Sequence, residues 1–294
     1  MMRSLFIFLL ISSSITLFAQ DDLLSLVEKK DDSQKEYISN AFKSSRVING
    51  HSMEFIGKGV LDVRILHRFG EMKSGFNNLF GLDEAKMRLG FDYGLGKSLT
   101  IGIGRSTQKK EWDGFIKYRR IWQAKGGSWP SPVSVVLITG MTYTTLPWAD
   151  PTLKNFTTSR MAFYNEIIIG RKFNNFFSLQ VSPTFVHRNL VELASESNNV
   201  YALGIGTRIK MSKRIAFVVD YHYVIKGLDK TIYKDPLSIG FDIETGGHVF
   251  QLHFSNSNGM NEKEFITNTT RSWGKAEVRF GFNLSRVFTV SKGK

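Results

Sequence analysis

The chain has 294 residues, a net charge of +13 and no cysteine. The absence of cysteine excludes disulfides, zinc–thiolate sites and thiol nucleophiles, so the fold must rest on packing and hydrogen bonding. Positive charge alone would suit a nucleic-acid partner. The export features described next indicate that the charge meets anionic lipid headgroups and anionic solutes instead, so we expect no nucleic-acid partner.

The first residues have the pattern of a secretory signal peptide. Arg3 precedes an apolar run over residues 5–11, and the small residue Ala19 lies just before the expected cleavage point. The run is too short to span a bilayer, and no later segment reaches about 18 uninterrupted apolar residues, so we expect no transmembrane helix. The sequence therefore predicts a signal peptide over residues 1–19 and export of the mature chain.

Residues 20–58 form a polar, charge-rich extension without a clear helix or strand period. Two interpretations stay open for its first part, up to Lys35: a disordered tail or an ordered periplasmic extension. The second part could plug or brace the domain that follows. We expect any periplasmic partner to bind through this extension.

From residue 59 onward, apolar and polar residues alternate in blocks of roughly ten, which is typical of transmembrane β-strands. The last block has apolar side chains at every second position, from Ala276 to Leu284, with polar residues or glycine between them. The predicted strands cover residues 59–70, 85–95, 98–107, 111–123, 133–145, 162–173, 176–188, 200–211, 214–226, 237–244, 248–256 and 275–288.

The connections between these strands alternate in length. Tight turns are expected at residues 96–97, 174–175, 212–213 and 246–247, and longer polar loops at 71–84, 146–161, 189–199, 227–236 and 257–272. Bacterial outer-membrane barrels have short turns in the periplasm and long loops outside, so this alternation puts both termini in the periplasm. Ten or fourteen strands remain alternatives.

The outward faces need a partner that the chain itself does not supply. Ile215, Phe217 and Tyr223 lie on one face of a single predicted strand, and no helical pattern follows that could cover them. Lipid is the remaining partner, and in hydrocarbon the sheet must close on itself to pair every amide. We predict an all-β fold, a transmembrane antiparallel up-and-down β-barrel of about 12 strands over residues 59–294. It would lie in the outer membrane, with lipid, lipopolysaccharide and the barrel-assembly machinery as partners.

The opposite faces of the strands carry charged residues that would line the bore, with acids and bases nearly balanced and Glu277 among the acids. Two interpretations stay open: a narrow pore for small polar or anionic solutes, or a filled barrel with a structural, anchoring or ligand-holding role. The residues predicted to line the lumen and meet a solute are Arg64, Arg88, Lys117, Arg119, Arg208, Asp220, His222 and Arg279.

One short stretch suggests an enzyme. His253 and Ser255 share a strand face, and Arg271-Ser272-Trp273-Gly274 follows. The stretch resembles the active site of outer-membrane phospholipase A, and this resemblance implies Ser255 as nucleophile and His253 as its base. Gly274 stands where that family has an orienting Asn, and the apolar neighbours would turn both residues inward. The other histidines are scattered without ligand spacing, so we predict no metal site and no cofactor.

Four stretches carry a resemblance over most of the chain: SSRVINGHSMEF at 44–55, HRFG at 67–70, ETGGHVFQL at 244–252 and FNLSRVF at 282–288. Over residues 40–290 the chain is similar to the membrane-bound β-barrel family of unknown function found in Bacteroidetes. The resemblance implies an outer-membrane barrel and no assigned activity.

Overall fold

The computed structural model describes residues 34–191, 193–246 and 248–291. The predicted signal peptide, residues 1–19, and residues 20–33 of the extension lie outside the described residues. The strands of the described ranges are β1 (Glu36–Tyr37), β2 (Val60–Glu71), β3 (Ala85–Gly94), β4 (Leu99–Ser106), β5 (Glu111–Ile121), β6 (Ala124–Lys125), β7 (Ser134–Thr144), β8 (Met161–Lys172), β9 (Phe177–Arg188), β10 (Asn199–Lys210), β11 (Ile215–Lys226), β12 (Leu237–Thr245), β13 (His248–Ser255) and β14 (Arg279–Thr289).

Twelve of these strands form one closed antiparallel barrel, in which each pairs with its neighbours in chain order and β14 pairs with β2. The closing register sets Phe282 opposite His67 and Ser285 opposite Arg64. Closure leaves no strand edge unpaired, which is what a lipid-exposed sheet requires. The predicted twelve-stranded up-and-down barrel is confirmed, and the observed strand ends differ from the predicted ones by a few residues.

The largest boundary error concerns β14, which begins at Arg279 rather than at residue 275. Residues 273–275 form a 3₁₀ turn that ends at Ala276, whose φ of 55° is left-handed and incompatible with a strand. Glu277 therefore lies in the preceding loop, and its placement on the inner face of a strand was wrong.

Side chains alternate between the two faces as the sequence predicted. In β11, Val218, Asp220 and His222 are buried inside the barrel, whereas Tyr223 and Ile225 are 48% and 59% exposed on the outer face. Aromatic rings pair across neighbouring strands on that outer face, for example Phe217 with Phe241 at 5.5 Å between centroids. The outer face is therefore an apolar belt, and the inner face is mostly polar.

Two features of the fold had no signal in the sequence pattern. Strands β1 and β6 pair as a separate two-stranded sheet, and a six-residue helix, α1 (Glu262–Thr267), lies in a loop predicted only to be long and polar. Elements this short complete too little of any period to be recognised. The side chain of Asn261 caps α1 by accepting a hydrogen bond from the amide of Glu264 at 2.9 Å. No helix among the described residues is long and apolar enough to cross a membrane.

The barrel has a short-turn end, where both described termini lie, and a long-loop end. Two segments fill the bore between them. The inner segment (residues 40–56) enters from the short-turn end, and the inward loop (residues 256–269) folds in from the long-loop end. Most residues of both are buried. Phe42, Val47 and Phe265 pack with Tyr164 and Val186 of the barrel wall in one apolar cluster, so the hydrophobic core lies inside the barrel.

Glycines on the inner face of the barrel let the inner segment approach closely. A Cβ atom on Gly94 would lie 2.8 Å from the carbonyl oxygen of Ile56, and one on Gly170 would lie 2.3 Å from the sulfur of Met53. Neither position could hold a larger residue without displacing the segment. These glycines therefore leave space that the chain itself occupies.

Candidate functional site

The tip of the inner segment is held by one carboxylate. Asp220 projects inward from β11, and its Oδ2 accepts hydrogen bonds from the amides of Asn49 at 2.7 Å, Gly50 at 2.9 Å and Ile48 at 3.3 Å. Its other oxygen, Oδ1, lies 2.9 Å from Nε2 of His222 on the same strand face. Asp220 and the tip amides are buried, so the charge is stabilised by the amide dipoles and the imidazole rather than by water.

Amide side chains from three other strands hold the carbonyl groups of the same tip. Gln180 donates to the carbonyl of His51 at 2.7 Å, Gln251 to that of Val47 at 2.6 Å, and Asn283 to that of Ile48 at 2.9 Å. Gln180 also accepts from the amide of Met53 at 2.9 Å. The peptide groups of the segment thus find partners on the barrel wall, as buried backbone groups must.

Basic residues predicted to meet a solute contact the inner segment instead. Lys117 on β5 donates to the carbonyl of Glu54 at 2.6 Å. Arg64 on β2 donates to the hydroxyl of Ser44 at 2.8 Å. The guanidinium of Arg119 lies 4.2 Å from the centre of the Phe55 ring, within the range of a cation–π contact.

A buried ion pair joins the two segments that fill the bore. Nη1 of Arg46 lies 2.7 Å from Oε1 of Glu262, and both side chains are at most 1% exposed. The same nitrogen donates to the carbonyl of Asn49 at 2.7 Å, and His51 packs edge-on against the Phe115 ring at 4.5 Å. Because the pair is dry, removing either partner would leave an uncompensated charge at a cost of about 3–5 kcal/mol. This ion pair links the inner segment to the inward loop inside the barrel.

The inward loop is fixed to the barrel wall by a second charged group of side chains. Lys263 of α1 lies 2.7 Å from Glu111 of β5 and 2.6 Å from Glu264, and Asn261 donates to Glu111 at 2.8 Å. Burial by itself would raise the pKa of Glu264. The nearby ammonium groups of Lys263 and Lys109 together outweigh this effect, so the pKa of Glu264 is lowered. The carboxylate is therefore kept charged, and the loop stays attached.

The remaining predicted lumen residues also lie on the inner face. Arg88 pairs with Asp113, with Nε 2.8 Å from Oδ1. Arg279 lies near the long-loop end and bonds Glu71 at 2.9 Å. Arg208 is 5% exposed, nearer the short-turn end of β10. All eight predicted residues share the bore, but they are distributed along its whole length and do not converge on one binding point.

The candidate catalytic residues are not arranged as a nucleophile and base. Ser255 is fully buried, and its hydroxyl accepts from Ser238 at 2.8 Å and from the amide of Ser257 at 3.0 Å. Among the described residues, neither ring nitrogen of His253 has a hydrogen-bond partner. Phe254, between them, is 41% exposed on the outer face, so both residues point into the bore and away from lipid.

We expect Ser255→Ala to leave any phospholipid hydrolysis by the purified barrel unchanged and to lower its stability by about 1–2 kcal/mol, because two buried hydrogen bonds are lost. Fatty-acid release from mixed micelles and thermal unfolding in detergent measure the two effects. Ser238→Ala is the matched control, since it breaks the same hydroxyl contact without removing the candidate nucleophile. Loss of hydrolysis in Ser255→Ala alone would support the enzyme interpretation.

The sequence analysis did not identify several residues that hold the inner segment and the inward loop in place. Gln251 and Asn283 sit at inner-face positions of predicted strands, so strand parity could have placed them with the charged residues. Arg46 and Glu262 are 216 positions apart and lie outside any periodic segment, so no local pattern could have paired them. No group of three or more metal-ligating side chains is present in the described part of the chain.

A cavity of about 390 Å³ remains between the inner segment and the barrel wall near the short-turn end. Its lining includes Lys43 and Glu244, which form an ion pair at 2.9 Å, and Asp62. With Glu54, the lining has three carboxylates against one lysine, so this cavity offers no basic site for an anion.

Comparison with solved structures gives barrels of low sequence identity. The NanC porin has a TM-score of 0.48 and 8% identity, with 77% of this chain and 98% of that chain covered. The outer membrane protein Omp33 of Acinetobacter baumannii has a TM-score of 0.41 and 8% identity, covering 78% and 97%. The translocator domain of the autotransporter NalP from Neisseria meningitidis has a TM-score of 0.36 and 10% identity, covering 80% and 89%. None of these similarities assigns a function to the chain.

Comparison with curated proteins gave no significant match. A family model does match residues 42–288, a span that runs from the inner segment to the end of the closing strand. Its description, a membrane bound beta barrel domain, agrees with the closed sheet and apolar outer belt. The chain belongs to the membrane bound beta barrel domain family DUF5777.

Proposed function

We propose that this protein is a filled outer-membrane barrel. Its bore residues hold the inner segment in place, and the filled bore prevents a steady flow of solute. One observation carries the proposal: several of the inner-face side chains that were predicted to meet a solute are hydrogen-bonded to the inner segment. Asp220, Lys117 and Arg64 are the main examples.

The proposed outer-membrane location is supported by the segregation of short turns and long loops at opposite ends, which in bacterial barrels correspond to periplasm and exterior. In this orientation the inner segment enters from the periplasm, and export would depend on the signal peptide predicted over residues 1–19. The Bacteroidetes origin implied by the sequence resemblance is part of the same proposal.

A second candidate function is a gated pore for small polar or anionic solutes. The inner segment is held by hydrogen bonds and by ion pairs such as Arg46 with Glu262 and Lys43 with Glu244, and these can break and reform. If the segment withdrew, the basic groups of Arg64, Lys117 and Arg119 would lose their contacts with it and face the open bore. Such a lining favours anions.

A disulfide between the inner segment and the barrel separates the two candidates. The Cγ2 atom of Val47 lies 2.8 Å from the position of a Cβ atom on Gly206, close enough for a bridge between Val47→Cys and Gly206→Cys. The chain has no cysteine of its own, so the introduced pair is the only route to an intramolecular disulfide. Conductance in a planar bilayer is then measured in the oxidised and reduced states.

We expect the disulfide to form and neither state to conduct steadily, which supports the filled barrel. Conductance that appears only after reduction would instead support the gated pore. The Val47→Cys variant alone serves as the control, because Gly206→Cys alone would bring its Cβ atom within 2.8 Å of the remaining Val47 side chain. Failure of the disulfide to form in the folded barrel would contradict the position of the inner segment and with it the proposal.

A further inference from the structure

A basic notch lies at the short-turn end, on the rim between β4 and β5. Lys35, Lys97, Arg120 and Trp122 line it, and its volume is about 700 Å³. Lys97 belongs to the turn between β3 and β4, Arg120 lies near the end of β5, and Lys35 comes from the chain just before β1. Three segments distant in sequence thus bring their cations to one place.

A bulge at the end of β5 places two consecutive side chains on the outer rim. The pairing of β5 with β7 shifts between Arg119 and Ile121, so Arg120 has no direct partner in the register. Arg119 is buried and Arg120 is exposed, as the alternation of faces requires, but Ile121 is exposed as well. A β-bulge characteristically redirects a side chain in this way. Arg120 and Ile121 therefore both lie on the outer rim rather than in the bore.

Among the described residues, the three cations have no anionic partner. All of them are exposed, and no carboxylate in these ranges forms an ion pair with Lys35, Lys97 or Arg120. Some exposed cations elsewhere on the barrel rims do pair, as Lys230 does with Asp235 and Arg271 with Glu71. Three like charges that share a cavity repel one another unless an anion joins them.

The wall of the notch is aromatic and rigid. The indole nitrogen of Trp122 donates to the carbonyl of Ile38 at 2.7 Å, and the Tyr37 and Trp122 rings are 4.9 Å apart. The guanidinium of Arg119 lies 4.0 Å from the centre of the Trp122 ring, on the way into the bore. Trp and Tyr at a membrane boundary typically lie at the level of the lipid headgroups.

We propose that the basic notch binds the phosphate of a phospholipid headgroup in the membrane leaflet at the short-turn end. A lipid is favoured over a free anion because the notch is continuous with the apolar outer belt. Ile121, which is 41% exposed, lines the notch and connects it to this belt. Acyl chains can lie along this belt while the phosphate meets Lys35, Lys97 and Arg120. The proposal does not depend on whether the bore conducts.

The test is retention of phospholipid by the full chain, purified in mild detergent and examined by native mass spectrometry with added phosphatidylglycerol. The test variant is Lys97→Ala combined with Arg120→Ala. We expect it to bind about 25-fold more weakly than wild type, because each basic residue near an anionic membrane surface contributes a factor of about 5. The matched control is Lys213→Ala with Arg214→Ala, which removes equal charge from another turn at the same end.

Lipid retained by wild type and by the control, but lost from the test variant, would support the site. Equal retention by all three proteins would overturn it, as would equal loss from the control and the test variant. Excess inorganic phosphate is added in a separate arm. Displacement of the lipid by phosphate alone would show that the notch takes free anions, and this would also overturn the lipid proposal.

Discussion

Replacing residues 40–56 with a short Gly/Ser linker should turn a barrel without steady conductance into a conducting one. The inner segment supplies the tip that Asp220 holds and the Arg46 side chain that bridges to Glu262. Without it Glu262 of the inward loop loses its ion-pair partner, and water can enter along the polar wall. We expect steady single-channel openings with anion preference, because Lys117 and Arg119 would lose their contacts with the segment.

Planar-bilayer recording gives the conductance, and the reversal potential in a salt gradient gives the selectivity. Arg119→Ala in the deletion background should weaken the anion preference. The control is a linker that replaces residues 149–156 of an exposed long-end loop, a change that leaves the bore filled. A deletion barrel that folds and inserts but does not conduct would contradict the closing role of the inner segment.

Asp220→Ala should release the tip of the inner segment while the barrel itself stays folded. The change leaves three buried amides without an acceptor and removes the partner of His222. Unsatisfied buried donors cost about 1–3 kcal/mol each, so we expect a loss of about 3–5 kcal/mol in the free energy that holds the segment. Trypsin cleavage after Arg46, which is 1% exposed in the intact protein, measures the release.

The matched control is Asp242→Ala on the neighbouring strand. The Asp242 carboxylate is also buried, but its hydrogen bond comes from the side chain of Gln251 and not from the inner segment. Asp220→Asn keeps one acceptor oxygen and should fall between the two. If Asp220→Ala and Asp242→Ala expose Arg46 to trypsin equally, then the three amide bonds do not hold the segment.

Strand parity predicted most of the barrel because each strand has one lipid-facing and one inward face. The period-two pattern therefore recurs in every strand, and in β11 it separates Tyr223 from His222 without knowledge of any other strand. The prediction failed only where local geometry interrupts the period. Because Ala276 is left-handed, β14 begins later than predicted, and the bulge after Arg119 leaves Ile121 exposed where the period requires a buried residue.

The candidate site was predicted only in part. The sequence identified Arg64, Lys117 and Asp220 as inward-facing, and all three are. It left open whether these residues meet a solute or fill the bore, since a charged inner face suits both. Lys117 and Asp220 contact peptide groups of the inner segment, which carry no sequence signal, and Arg64 contacts the hydroxyl of Ser44.

The sequence by itself determined the closed antiparallel barrel, its apolar belt and the set of residues that face inward, because alternation within a strand is a local property. Only the tertiary structure decided what those residues touch. The contact of Arg46 with Glu262 spans 216 positions and brings together two segments without any period. Such a contact depends on barrel diameter, glycine spacing and the path of the chain through the bore, and these are fixed only when all the strands have closed around it.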